Sequence, residues 1–146
     1  MAKTQTMQEA TAESRRVSKE RSGWRDAKLS ARHRRWGFHV PAADVDFLLL
    51  EYSVGEPRAL IEYKHEAAAP VPAASANLRA VSCLAEWAGI PAFVVRYAGD
   101  FSWWRVRALN AHAKKMLPEA ATMTEDEYVE FLHRLRDRRL SRREAG

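Results

Sequence analysis

The chain has 146 residues, of which 29% are charged, and its formal net charge of +5 favours a polyanionic partner. This length fits one ordinary domain with tails and excludes a second domain of similar size. The single cysteine excludes a disulfide framework and a multi-cysteine zinc site, and the lack of a long apolar stretch predicts a soluble, cytoplasmic protein without a membrane partner.

The N-terminal part of the chain is polar. Residues 1–21 hold almost no large apolar side chain, which predicts a flexible segment. Trp24, Ala27 and Ala31 then recur at helical spacing, and this predicts a helix from about Trp24 to Arg35. The aromatic segment Trp36–Pro41 ends at a proline, which is typical of an edge strand or an extended approach to the next element.

A β-hairpin is the next predicted element. The strand-like runs Phe47–Val54 and Ala59–His65 are separated by Gly55-Glu56-Pro57-Arg58, and glycine beside proline is a turn signal. Because the connection is short, we expect the two strands to be antiparallel.

A helix and two strands follow a proline-containing loop over residues 67–74. Ser75 is a suitable N-cap, an apolar stripe that includes Leu84 follows it, and Gly89 then Pro91 supply a stop. The segment Ala92–Tyr97 predicts a buried strand, and Trp103–Leu109 alternates apolar and basic side chains, which predicts a strand with one basic face.

The C-terminal segment, residues 119–146, is predicted to form a basic helix. Thr124 and Glu127 have the spacing of a capping box, and an apolar stripe and several arginines follow them. A core domain is expected over residues 22–118. The order of the elements predicts an α/β fold with a mixed central sheet and flanking helices.

Three charged residues of the hairpin carry the strongest functional signal. Asp46 precedes the first strand, while Glu62 and Lys64 share one face of the second because side chains alternate along a strand. Charges at the end of an apolar strand are costly to bury unless they are paired or bind a metal. Two carboxylates suit Mg²⁺, and a neighbouring ammonium can orient water or stabilise developing charge. This pattern indicates a metal-dependent nuclease site.

Simpler interpretations exist for the same residues. Glu62 and Lys64 also fit an ion pair on a solvated strand, which contributes little energy. Asp44 and Asp46 also fit a role as turn formers at the start of a strand.

Asp46, the sequence Glu62-Tyr63-Lys64, the following helix and the strand Phe93–Tyr97 together resemble the PD-(D/E)XK nuclease superfamily, over roughly residues 36–109. The resemblance implies a restriction-endonuclease-like core of the order αβββαβ and a Mg²⁺-dependent endonuclease, with Mn²⁺ as a substitute ion. It implies that Asp46, Glu62 and Lys64 are catalytic and that Asp46, Glu62 and Asp44 are metal ligands. Pro41 stands three residues before Asp44 and five before Asp46, so the choice of main ligand between them stays open.

The expected substrate is DNA, branched or otherwise structured, and RNA is the less favoured one, in the cytoplasm of a bacterial or phage-infected cell. Guanidinium groups match phosphate oxygens, and we expect five arginines to contact nucleic acid: Arg35, Arg79, Arg96, Arg105 and Arg107. The resemblance also allows for a homodimer. The alternative function is a noncatalytic protein that binds nucleic acid or modulates a partner on the same scaffold.

Overall fold

The computed structural model describes residues 27–36, 45–72 and 74–138, and the chain divides into two compact units, residues 1–42 and 43–146. In the first unit, helix α1 spans Ala27–Arg35. This confirms the predicted helix over those residues. The described residues do not include the predicted flexible segment 1–21, Trp24, residues 37–41 of the predicted edge strand or extended segment, or Asp44.

A five-stranded mixed sheet forms the centre of the second unit. Its strands lie in the order of the sequence, and only the β2–β3 pair is parallel, so the predicted mixed α/β sheet is confirmed. The strands are β1 (Phe47–Glu51), β2 (Glu56–His65), β3 (Ala92–Tyr97), β4 (Trp104–Ala108) and β5 (Ala121–Met123).

Among the described residues, three helices flank this sheet: α2 (Ala76–Ala88), α3 (Ala111–Met116) and α4 (Glu125–Asp137). Val81 and Ala85 of α2 pack against one face of the sheet, in a buried cluster with Leu60. The larger core lies on the other face, where Ala113 of α3 and Phe131 of α4 join buried strand residues. None of the described helices has the length and apolar character needed to cross a membrane.

Helix α2 begins and ends where the sequence predicts. The Ser75 hydroxyl accepts a hydrogen bond from the Leu78 amide, and Gly89 ends the helix in the left-handed conformation with φ 72°. The predicted apolar stripe is wrong at Leu84, which is 47% exposed. Leu84 lies beside the stripe because only the line of Leu78, Val81 and Ala85 turns toward the sheet.

Gly89→Ala is expected to destabilise the protein by about 1 kcal/mol, because a side chain disfavours the left-handed conformation. No atom lies within 4 Å of the added Cβ, so the cost is conformational rather than steric. Chemical denaturation measures this difference. Ala88→Gly, one position earlier, should lower the free energy of unfolding by a similar amount, because glycine loses more backbone freedom than alanine in a helix. An unchanged free energy of unfolding in Gly89→Ala would contradict the left-handed conformation at Gly89.

The predicted hairpin turn is displaced. Strand β2 begins at Glu56, so the prediction that residues 55–58 form the turn is wrong, and the turn lies at residues 52–55. The Glu51 carboxylate accepts hydrogen bonds from the Ser53 hydroxyl and the Val54 amide, both at 3.0 Å, and these bonds fix the earlier turn. Pro57 is tolerated in β2 because the pairing with β1 is irregular there.

Two short elements, α3 and β5, are absent from the predicted order. Asn110 supports both α3 and the sheet: its side-chain oxygen accepts from the amides of Ala92 and Ala113, and its side-chain nitrogen donates to the Ile90 carbonyl. The capping box of Thr124 and Glu127 is confirmed at the start of α4. Within α4 acidic residues outnumber arginines, so the described residues do not confirm the predicted basic helix. Residues 139–146 lie outside the described part of the chain.

Candidate active site

Asp46 and Glu62 lie side by side on the β1–β2 hairpin. Phe47 pairs with Ile61, so Asp46, just before β1, is placed opposite Glu62. The Asp46 amide donates to Glu62 Oε1 at 3.3 Å, and the Tyr63 amide donates to Asp46 Oδ2 at 3.0 Å. Two backbone groups therefore hold the two carboxylates at one place on the sheet.

Glu62 is the unusual member of this pair. It is only 6% exposed, and Asn110 is the only other buried polar residue among those described. Burial raises the pKa of the Glu62 carboxyl, and the negative charge of Asp46 raises it further. The Asp46 amide and the positive charge of Lys64 act in the opposite direction. A buried carboxylate beside a second one is a suitable place for a cation.

Lys64 lies two residues after Glu62 on the same face of β2, whereas Tyr63 points to the opposite face and packs among aromatic rings. Within the described ranges, no carboxylate oxygen lies within 4.0 Å of the Lys64 ammonium. The interpretation as a simple Glu62–Lys64 ion pair therefore gains no support from these distances.

The buried position of Glu62 makes the stability of the protein depend on pH. Its raised pKa means that the folded state disfavours the ionised carboxylate, so its contribution to stability is largest below its ordinary pKa of 4.5. That contribution is lost as the pH rises through the raised value. Compared with Glu62→Gln, we expect the wild-type melting temperature to fall as the pH rises above 4.5.

Calorimetry of both proteins from acid to neutral pH measures this difference. Glu51→Gln is the matched control, because the Glu51 carboxylate accepts hydrogen bonds within the turn and its pKa is lowered rather than raised. Parallel pH profiles for wild type and Glu62→Gln would contradict the assignment.

Basic residues line a cleft beside the carboxylates, on the same face of the sheet. Its volume is about 190 Å³, and its lining residues are Lys64, Pro70, Val71, Val94, Arg96, Arg105 and Arg107. The structure thus brings together three of the five arginines predicted to contact nucleic acid. Arg79 is exposed on α2 and does not line the cleft, and Arg35 lies in the first unit.

The sequence predicts the loop over residues 67–74 but not its position beside this cleft. The Arg96 guanidinium donates to the carbonyls of Glu66 and Ala68, both at 2.6 Å, and so ties the loop after β2 to β3. Pro70 and Val71 of that loop form an apolar border. Arg96 is therefore partly a structural residue. The proline-rich composition of the loop was its only signal in the sequence.

The carboxylate oxygens of Asp46 and Glu62 are of the type that hard cations prefer. Asp46 and Glu62 supply carboxylate oxygens, which Mg²⁺ prefers, and neither nitrogen nor sulfur ligands adjoin them among the described residues. Over the same residues no group of three or more histidine, cysteine, aspartate or glutamate side chains could hold a metal ion. A Mg²⁺ ion held by two carboxylates would keep several waters.

No family model matches this chain, and comparisons with curated proteins and with solved structures find no match.

Proposed function

We propose that this chain is a Mg²⁺-dependent endonuclease of the PD-(D/E)XK type that hydrolyses phosphodiester bonds in DNA. The observation that carries the proposal is the pair of carboxylates, Asp46 and Glu62, held together by two backbone hydrogen bonds beside Lys64. A buried carboxylate next to a second carboxylate and a lysine lowers the stability of the fold, and arrangements of this kind are typical of catalytic sites.

In this proposal Asp46 and Glu62 hold the ion, and Mn²⁺ can replace Mg²⁺. Asp44 is a further proposed ligand. The bound ion supplies Lewis acidity and a bound water of lowered pKa. The amides of Asp46 and Tyr63 hold the carboxylate oxygens that would bind the ion.

Lys64 is the proposed electrostatic group. Its ammonium lies on the same face as Glu62, and the fixed strand geometry leaves little freedom in the position of its Cα. Negative charge grows on the phosphate oxygens as the phosphodiester bond is attacked, and a preorganised cation stabilises that charge. The same ammonium orients the attacking water.

The arginines of the cleft are the proposed contacts to the DNA backbone. Arg105 and Arg107 are exposed on β4 and project from the same face as Lys64. Contacts of this kind are independent of base sequence, and binding should weaken steeply with salt.

Incubation of the protein with linear, nicked, forked and four-way DNA tests the proposal. We expect cleavage of at least one of these substrates with Mg²⁺ or Mn²⁺ and none with a chelator. Asp46→Asn should lower the rate at least about 100-fold, a loss of about 3 kcal/mol of transition-state stabilisation. The amide oxygen of Asn keeps an acceptor for the Tyr63 amide, so the fold is preserved.

Asp100→Asn is the matched control for that variant, because Asp100 is an exposed aspartate that also accepts a backbone hydrogen bond. It should cut at the wild-type rate. Full activity in Asp46→Asn would remove Asp46 from the mechanism. Preferred cleavage of an RNA competitor would redirect the proposal to an RNA-processing nuclease.

The alternative is a noncatalytic protein that binds nucleic acid. The observation in its favour is that the described residues include only two neighbouring carboxylates at the site, rather than a group of three or more potential ligands. DNA that is retarded in a gel but left uncut on all four substrates, with every divalent ion tried, would establish this alternative.

A further inference from the structure

The cations of the cleft are arranged in a way that costs stability. Lys64, Arg96 and Arg105 occupy directly opposed positions on three neighbouring strands, and Arg107 lies on the same face of β4. Like charges directly opposite one another destabilise a sheet. In the part of the chain that is described, none of these four cations has a carboxylate oxygen within 4.0 Å. The arrangement calls for an external anion.

The cleft is small and bordered on one side. Its volume is about 190 Å³, Val94 contributes an apolar surface, and Pro70 and Val71 form its border. The loop that carries this border is tied down by the bonds from Arg96 to the carbonyls of Glu66 and Ala68. A preformed space of this size admits a single phosphate group with part of one nucleotide.

The cleft adjoins the carboxylate pair. Val94, which lines the cleft, pairs with Glu62 on one side and with Arg107 on the other. Neighbouring strands lie about 4.8 Å apart, so the cleft is centred roughly 5–10 Å from Glu62 along the sheet. At about 3.4 Å of axial rise per nucleotide, this separation spans roughly one to three nucleotides of one strand.

We propose that this cleft binds the terminal phosphate monoester of a DNA strand, so that the enzyme acts close to a phosphorylated strand end. The inference deepens the proposed function and rests on it. A phosphate monoester carries nearly two negative charges at neutral pH, because its second pKa is about 6, whereas an internal diester carries one. Three guanidinium groups within one small cleft, those of Arg96, Arg105 and Arg107, match the dianion better than the monoanion, while Lys64 beside them is the group proposed to act on the scissile phosphate. Cleavage would then release fragments of about one to three nucleotides.

Thermal unfolding without divalent metal tests the anion site independently of catalysis. Inorganic phosphate at ten times its Kd should raise the melting temperature by about 4 °C relative to chloride of equal ionic strength. Arg107→Gln should reduce this rise, because it removes one of the cations that line the cleft. The core should stay intact, because Arg107 is exposed. Lys115→Gln, which removes an exposed cation from α3, should keep it.

Three oligonucleotides of one sequence test the choice of ligand: one with a 5′-phosphate, one with a 3′-phosphate and one with hydroxyls at both ends. We expect one of the phosphorylated strands to bind about 10-fold more tightly than the hydroxyl strand in chelator, and to be cut faster with Mg²⁺. The preferred end identifies the source of the monoester. Arg107→Gln should reduce the preference.

The failures of the two proposals are distinguishable. If no oligonucleotide is cut but the binding preference and the phosphate shift are present, the nuclease proposal fails and the anion site stands. If all three strands and a circular single strand are cut at equal rates, the end-binding inference is overturned and the nuclease proposal stands. Equal binding of the three strands together with no phosphate shift also overturns the inference.

Discussion

Lys64→Met is expected to lower the rate of Mg²⁺-dependent DNA cleavage by about 100- to 1,000-fold, the usual effect of removing one preorganised group that stabilises transition-state charge. Methionine keeps the length and the apolar part of the side chain and loses the ammonium. Because Asp46 and Glu62 are unchanged, metal binding should persist, and Mg²⁺ at ten times its Kd should still stabilise the fold by about 1.4 kcal/mol.

The measurements are single-turnover cleavage and thermal unfolding with and without Mg²⁺. Lys115→Met is the matched control, because Lys115 is an exposed lysine of α3 that lies outside the cleft. DNA binding should weaken only modestly, since three arginines of the cleft remain. Cleavage at the wild-type rate by Lys64→Met would exclude the ammonium from the chemical step.

Phe93→Ala should destabilise the protein by about 3–5 kcal/mol, the cost of deleting a buried aromatic ring and leaving a cavity. Phe93 is fully buried in the central strand β3, and its ring meets that of Phe131 of α4 edge-on at 5.1 Å between centroids. The strand also carries Val94, which lies between Glu62 and Arg107. Loss of Phe93 should therefore weaken the support of both parts of the site.

Urea denaturation followed by circular dichroism measures this loss. Trp87→Ala provides the contrast, because that large side chain on α2 is 81% exposed and its removal should change stability by less than about 0.5 kcal/mol. Similar losses in the two variants would mean that the core is not organised around β3.

Much of the scaffold could be predicted because its signals are local. The Ser75 cap, the Gly89 stop and the capping box of Thr124 each depend on residues close in sequence. The alternation of apolar and basic side chains in β4 predicts its basic face, and the structure confirms it: Val106 is buried, while Arg105 and Arg107 are exposed.

The remaining features depend on interactions that sequence patterns do not encode. The hairpin turn lies earlier than predicted because the Glu51 carboxylate accepts hydrogen bonds from the Ser53 hydroxyl and the Val54 amide. These bonds favour a turn before the one that the glycine and proline signal predicts. Helix α3 and strand β5 are too short for a clear period. Helix α3 depends on Asn110, which connects distant amides.

The sequence predicts the acidic pair of the candidate site but not the cleft beside it. Asp46 and Glu62 come from one hairpin, so their proximity follows from a short-range pairing. The cleft requires the crossover from β2 to β3 and the pairing of β4, and only the strand register shows that Lys64, Arg96 and Arg105 lie in one row. Its apolar border depends on a loop whose path no periodicity predicts.

The alternation of β4 has a consequence for substitutions at its exposed positions. Val106 anchors the strand with 0% exposure, while Arg105 and Arg107 leave the core untouched. Substitutions at these two positions therefore cost little folding free energy. Substitutions there can change the charge of one side of a single strand while the scaffold and the acidic pair stay as they are.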